Sequence, residues 1–160
     1  MIKNLLTVIS LICPLLLFAG CTQGDELSGE MYVVVADASA TEVKSFTVGL
    51  DGYTTKNSVG DLIIALGVSD EGFYLSGGNS EYGYYVNEVG YTDGGVTHKL
   101  AVTDYAKNQF VAVYTDINDC FDATYGSVTY GAKTLYSASY GVSLLPLQDG
   151  ATVYFTQGTY

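Results

Sequence analysis

Short apolar runs separated by turn residues make up most of the chain after residue 30. Residues 31–36 form a β-branched run, and residues 43–50 alternate apolar with polar side chains, which predicts two strands. The same reasoning predicts strands at 73–75, 81–91, 109–114 and 151–156, a turn at 76–80, and a hairpin across 125–136 that turns near Gly131. The pattern therefore favours a mostly β domain.

Residues 57–67 are the one stretch after the first twenty residues in which apolar side chains recur at helical spacing. Ser58 and Asp61 form a Ser-x-x-Asp capping box, and Gly67 stands where a left-handed C-terminal cap is expected. One face of this predicted helix carries Val59, Leu62, Ile63 and Leu66. A single short amphipathic helix among strands is expected to cover one face of a sheet.

The N-terminus has the pattern of a secretory signal, with Lys3 followed by an apolar run too short to span a bilayer. The ending Phe-Ala-Gly-Cys resembles the lipobox of bacterial lipoproteins, which implies cleavage before Cys21 and lipidation of its sulfur. The alternative is an ordinary secreted protein with a chance cysteine at this point. We predict a signal peptide at 1–20, a flexible polar tether at 21–30 and a single domain at 31–160.

The charge balance after residue 20 is strongly acidic. Seventeen acidic residues face five lysines and no arginine in this part, which is a net charge of −12. Nucleic acid and anionic membrane surfaces are poor partners for such a chain, and a cationic ligand is favoured.

No catalytic or metal motif stands out in the sequence, and we predict that the protein is not an enzyme and has no metal or cofactor. The single histidine, His98, is expected to be a surface residue, and the carboxylates cluster in turns. Residues 116–122 place oxygen ligands at alternate positions, but Cys120 interrupts the pattern and no glycine follows, unlike a calcium loop. Cys120 is expected to be a small buried apolar residue.

The order of strand, strand, helix and further strands resembles a β-grasp, an α+β fold in which one helix packs across a mixed sheet. Three pieces are similar to the transcobalamin C-terminal-like domain family (DUF4430): the helix at 59–66, the Tyr-Gly-Tyr-Tyr-Val-Asn run at 82–87, and the strand ending at Tyr114 or, in a second copy of the pattern, at Phe155. The family is common in surface proteins of Gram-positive bacteria. The resemblance implies a corrinoid-like ligand that a partner protein helps to enclose, because the helical barrel that holds cobalamin in transcobalamin is missing here.

Two arrangements of the second half stay open. In one, the β-grasp spans 31–115 and residues 121–160 add a layer of hairpins. In the other, which we prefer, residues 96–140 are an insertion and residues 147–156 supply the closing strand.

Tyrosine is in excess, at fifteen residues. Ordinary packing on half-buried sheet faces explains such an excess. The functional alternative is an exposed row that stacks on a flat ligand or sugar ring; its candidates are Tyr82, Tyr84, Tyr91 and Tyr136, with Tyr130 and Tyr140. We therefore predict a lipid-anchored binding domain on the extracytoplasmic face of the membrane, with an adhesion or scaffold module that contacts protein or glycan as the alternative.

Overall fold

The computed structural model describes residues 24–81 and 83–160. Its strands are β1 (Glu30–Ala36), β2 (Val43–Gly49), β3 (Phe73–Ser80), β4 (Gly83–Asp93), β5 (Val96–Val102), β6 (Gln109–Thr115), β7 (Phe121–Tyr130), β8 (Lys133–Ala138) and β9 (Thr152–Thr159). The helix α1 (Val59–Ser69) follows β2, and two short 3-10 helices span Tyr105–Lys107 and Val142–Leu144. The predicted mostly β, α+β class with one α-helix and mixed sheets is confirmed.

The larger sheet has six strands in the order β2-β1-β9-β6-β8-β7. The N-terminal strand β1 lies between β2, to which it is antiparallel, and the C-terminal strand β9, to which it is parallel. A parallel pair formed by the first and last strands beside an N-terminal hairpin is the arrangement of a β-grasp. β6 pairs with the other edge of β9, so residues 109–115 belong to the same sheet as β9.

A second layer covers one face of this sheet, which we call the inner face. It consists of α1 and a three-stranded sheet in the order β3-β4-β5. The main core lies between the layers and is formed by buried side chains of β1, β9, α1 and the small sheet, among them Val33, Phe155, Leu62, Phe73 and Val89. Burial of these apolar groups is the main stabilising contribution to the fold.

The helix begins as the sequence predicts. Ser58 N–H donates to Asp61 Oδ2 (2.8 Å) and Asp61 N–H donates to Ser58 Oγ (3.2 Å), which is the expected capping box. The four predicted core residues Val59, Leu62, Ile63 and Leu66 are all buried. The predicted end at Gly67 is wrong: the helix continues to Ser69, and its C-terminal cap is Asp70 in an extended conformation.

Residues 76–80 form a strand, so the turn predicted there from composition is wrong as well. They pair with β4 through a bulge at Ser76 and Gly77, and pairing with a neighbouring strand outweighs the turn preference of Gly, Asn and Ser. A second bulge lies between β4 and β5 at Val89 and Gly90. A side chain at Gly90 would place its Cβ 1.9 Å from the carbonyl oxygen of His98, so only glycine fits there.

The β7–β8 hairpin joins the large sheet through its short ladder with β6, but it folds over the opposite, outer face of β1 and β9. It turns at Gly131 as predicted. Leu135 is fully buried in a small second cluster with Val34, Ala36 and Tyr154. Lys133 fastens the hairpin to the sheet, since its Nζ donates to Asp116 Oδ2 (2.7 Å), the carbonyl of Gly150 (2.6 Å) and Thr152 Oγ1 (3.1 Å).

Residues 25–27 of the predicted tether contact the loop after β2. Leu27 N–H donates to the carbonyl of Tyr53 (2.9 Å), and Thr55 N–H donates to the carbonyl of Asp25 (2.9 Å). The predicted signal peptide and Cys21 lie outside the described residues. Within the described part of the chain no helix is long and apolar enough to cross a membrane.

Candidate functional site

A cleft of about 720 Å³ opens between β6 and the far end of the β7–β8 hairpin. Its walls contain the side chains and main chain of Phe110, Val111, Ala112, Val113, Tyr114, Asp122, Tyr125, Ser137, Ala138, Ser139, Tyr140 and Gly141. The lining consists mainly of aromatic and small side chains, with one carboxylate and no lysine. Aromatic side chains beside a single carboxylate are the chemistry of a binding site.

The cleft exists because β8 separates from β6. β6 pairs with β9 over seven residues, but with β8 only at Tyr114 and Thr115. Beyond this point the chain after β8 turns towards β7, where Ser139 N–H donates to the carbonyl of Cys120 (3.0 Å). Between Gln109, which is bonded to Asp104, and Tyr114, this edge of β6 therefore faces open space.

One wall is shaped by an interruption in β7. The β7–β8 register jumps from Asp122 to Ser127, so residues 123–126 bulge out of the ladder. Gly126 has a φ of +105°, which glycine adopts without strain. Asp122 closes the base of the bulge by accepting from Thr124 N–H (2.8 Å). The hydrogen bonds from the side chain and backbone of Thr124 lower the pKa of Asp122, which keeps it ionised at neutral pH.

The bulge presents an aromatic ring at the mouth of the cleft. Tyr125 is 76% exposed and Tyr140, in the opposite lining segment, is 50% exposed, while Tyr114 is half-buried on β6. Three phenol rings and an ionised carboxylate can stack on a flat ligand and attract a positively charged group.

The predicted tyrosine row is divided between two sheets. Tyr84 and Tyr91 lie on β4 and pack against the main core, whereas Tyr136 lies on β8 and stacks on Phe121 with ring centroids 5.0 Å apart. Tyr130 lies beside Tyr154 at a centroid distance of 6.0 Å. Tyr82 is outside the described residues. Of the wider row, Tyr140 lines the cleft, and ligand binding by the others stays a prediction.

Tyr91 takes part in a polar cluster on the three-stranded sheet. Its ring stacks on His98 with centroids 4.6 Å apart, its hydroxyl donates to Glu42, and Lys44 Nζ lies 5.4 Å from the ring centroid. The hydrogen bond to Glu42 raises the pKa of Tyr91. The partly exposed His98 lies 3.7 Å from Glu42. These contacts tie β5 and β4 to β2 and explain the cluster as a structural one.

Burial alone raises the pKa of Tyr84, and its N–H donates to Ser143 Oγ (2.7 Å). This contact links β4 to the 3-10 helix Val142–Leu144. Tyr84 therefore holds the small sheet against the segment that leads into β9.

The acidic segment 116–122 is used within the fold. Asp116 accepts from Lys133 and from Thr152 N–H (2.6 Å), and Cys120 is buried in the main core as predicted. Across residues 24–81 and 83–160, no group of three or more His, Cys, Asp or Glu side chains is placed to hold a metal ion.

Sequence reasoning missed Tyr125 and Asp122 as members of a site. The available signal was Gly126, because an isolated glycine inside a predicted strand indicates a bulge or a close approach of backbone. The cleft itself had no sequence signal, since it depends on where β8 leaves β6.

The comparisons with known proteins show that other proteins share a similar fold. No protein-family model matches the chain, and no curated protein matches it. A protein from Ruminococcus gnavus that carries a provisional description as a metal binding protein matches with a TM-score of 0.50 at 14% identity, over 82% of this chain and 98% of that one. Haptocorrin, a transcobalamin-like protein solved in complex with Cbi, matches with a TM-score of 0.52 at 11% identity.

The haptocorrin match covers 84% of this chain and 26% of the haptocorrin chain. At these identities the comparison shows a related fold. Both neighbours are described as binding proteins. The chain thus has a β-grasp-like fold related to that of part of haptocorrin, with a tyrosine-lined cleft beside β6.

Proposed function

We propose that this protein is a non-catalytic binding domain, held at the extracytoplasmic face of the membrane by a lipid on Cys21, and that the cleft beside β6 is its binding site. The observation that carries the proposal is the lining of the cleft. Three tyrosines and one ionised aspartate surround an open space of about 720 Å³, which suits the recognition of a ring system.

In this proposal the ligand is a corrinoid held jointly with a partner protein. The resemblance to the transcobalamin C-terminal-like family and the fold likeness to haptocorrin, which was solved with Cbi, support the ligand class. The cleft is open on one side, so a large ligand would contact this chain with one face only. In this proposal the chain binds one face of the ligand by itself, and a second protein covers the other face.

The ligand proposal is tested by titrating cobinamide and cobalamin with the chain expressed without residues 1–20 and with Cys21→Ser. We expect a shift of the corrinoid absorbance bands that Tyr125→Ala and Tyr140→Ala weaken by about tenfold. Both side chains are at least half exposed, so their removal should leave the fold intact. The matched control is Tyr105→Ala, a 74% exposed tyrosine outside the cleft. Unchanged absorbance at saturating protein would refute a corrinoid ligand.

The anchor is tested separately. Expressed with its full N-terminus in a bacterial host, the protein should incorporate radiolabelled palmitate, and Cys21→Ser should abolish the label. Labelled Cys21→Ser protein would exclude Cys21 as the attachment site.

The second candidate function is a cell-surface adhesion module that contacts glycan. The exposure of Tyr125 and Tyr140 at the mouth of the cleft favours it, because sugar rings stack on exposed aromatic side chains. A glycan array distinguishes the two: signal lost in Tyr125→Ala and Tyr140→Ala but kept in Tyr105→Ala, with no corrinoid shift, would support this alternative.

A further inference from the structure

One edge of β6 is unpaired between Gln109, which bonds to Asp104, and Tyr114, where the ladder with β8 begins, although β6 lies inside the large sheet. β9 occupies the other edge along residues 109–115, whereas β8 reaches only Tyr114 and Thr115. Phe110, Val111, Ala112 and Val113 line the cleft on the side that β8 leaves open.

The hydrogen bonds at the start of β6 show which main-chain groups face this opening. Tyr160 N–H donates to the carbonyl of Asn108 (3.0 Å), on the β9 side, and Gln109 exchanges two hydrogen bonds of 3.0 Å with Asp104 on the other side. Successive residues of an antiparallel strand point their main-chain N–H and C=O groups to opposite edges, so the groups of Phe110 and Ala112 bond to β9. The peptide groups of Val111 and the N–H of Val113 point into the cleft, outside the β6–β8 ladder.

The other strand edges in the described part of the chain carry protective features. β2 carries Lys44, β5 carries Lys99, β3 has the bulge at Ser76 and Gly77, and β7 has the four-residue bulge. Lysines and bulges are the devices by which proteins prevent pairing at strand edges. The β6 edge has neither, since its sequence from 109 to 113 is Gln-Phe-Val-Ala-Val.

The charge of the cleft indicates the kind of strand that could pair here. Asp122 is the one charged side chain in the lining, and no lysine is present there. The chain after residue 20 has a net charge of −12. A positively charged segment is therefore attracted, and its cationic side chains could lie over the rings of Tyr125 and Tyr140.

We propose that β6 is a docking edge for an extended, lysine- or arginine-bearing segment of a partner protein, which adds to the large sheet as a strand in the cleft. Main-chain bonds to Val111 and Val113 supply the pairing, and Asp122 with the two tyrosines selects the positive charge. The inference rests on the proposed binding function of the cleft and gives the cleft a protein ligand. Because the added strand and a corrinoid would use the same two tyrosines, they would occupy the cleft in turn and not together.

The test uses three synthetic peptides as probes: an alternating Lys-Val heptapeptide, the same peptide N-methylated at alternate residues, and an alternating Glu-Val heptapeptide. Isothermal titration with the Cys21→Ser chain should show binding of the first peptide, with the other two weaker by at least about tenfold. N-methylation removes main-chain donors without changing the charge, so equal binding of the methylated peptide would overturn strand addition. No binding of the Lys-Val peptide up to about 1 mM would overturn the proposal as well.

Hydrogen exchange measured by NMR locates the binding edge. The Lys-Val peptide should slow exchange of the amides of Val111 and Val113 while leaving that of Ala112, which is already paired with β9, unchanged. Val111→Pro removes one cleft-facing donor and should weaken the peptide by about tenfold, with circular dichroism as the check of folding. Protection that appears on rising protein concentration without peptide would instead show that a second copy of the chain occupies the edge.

The proposal and the corrinoid ligand can fail independently. Peptide binding without a corrinoid absorbance shift supports the docking edge and removes the ligand. A corrinoid shift without peptide binding removes the docking edge and leaves the ligand.

Discussion

The two faces of the six-stranded sheet share the same strands but differ in what covers them. On the inner face, Val33 and Phe155 are fully buried under α1 and the three-stranded sheet. On the outer face, Val34 and Tyr154 are buried by the β7–β8 hairpin, in a cluster of only four buried residues. The hairpin leaves β6 uncovered at the cleft.

The inner face supplies most of the stability of the domain, whereas the outer face leaves room for a binding site. The inner face has a large, continuous core, so its side chains determine whether the domain folds. The outer face is covered by one hairpin that is held by Leu135, Lys133 and a short ladder to β6. Proteins place binding surfaces on such locally less stable elements.

The largest effect is expected on the inner face. Phe155→Ala removes a fully buried ring from the main core and should lower the free energy of unfolding by about 3–5 kcal/mol, measured by urea denaturation. The control is Leu144→Ala, at a 66% exposed position, which should change it by less than about 0.5 kcal/mol. Similar losses in both variants would contradict the assignment of the core.

On the outer face, Leu135→Ala should cost about 2–3 kcal/mol, because Leu135 is fully buried but in the smaller cluster. The loss should appear first as local opening of the hairpin. Native-state hydrogen exchange would then show faster exchange of β7 and β8 amides, with β1 and β9 amides still exchanging through global unfolding. An equal acceleration in all strands would mean that the two faces do not differ in stability.

Lys133→Met should have a smaller effect, about 1 kcal/mol, because Lys133 is partly exposed while its three hydrogen bonds join the hairpin to the sheet. Thermal unfolding measures the change. Lys107→Met, a substitution of a more exposed lysine outside the hairpin whose Nζ pairs with Asp104 Oδ2 (2.9 Å), is the comparison; a larger loss of stability there would argue against Lys133 as the residue that holds the hairpin to the sheet.

The smallest effect concerns pH and the bulge. The hydrogen bonds from Thr124 lower the pKa of Asp122 in the folded protein. The stability that the ionised Asp122 adds to the folded state is therefore complete above its ordinary pKa of 3.8, and it is lost as the pH falls towards the lower folded-state pKa. An NMR titration of the Thr124 amide should show this transition below pH 3.8, and Asp122→Asn should abolish it. A transition that persists in Asp122→Asn would assign the titration to another group.

The sequence by itself determined the elements whose signals are local. The capping box at Ser58 and Asp61 and the spacing of the four buried helix residues placed α1, because both depend only on positions three or four residues apart. The hairpin turn at Gly131 is local in the same way. The β-branched run at 31–36 likewise predicted the strand β1, because β propensity is a property of the residues themselves.

Other features were decided only by the tertiary structure. The predicted turn at 76–80 became a strand because β4 pairs with it. The helix continued past Gly67, which lies beside Leu75 of β3, and ended at Ser69. Tyrosine is chemically suited to both a core and a surface, so its pattern did not reveal that Tyr84 packs inward while Tyr125 is exposed at the cleft. The cleft and the open edge of β6 arise from the point where β8 leaves the ladder, and strand pairing between distant residues has no local sequence signal.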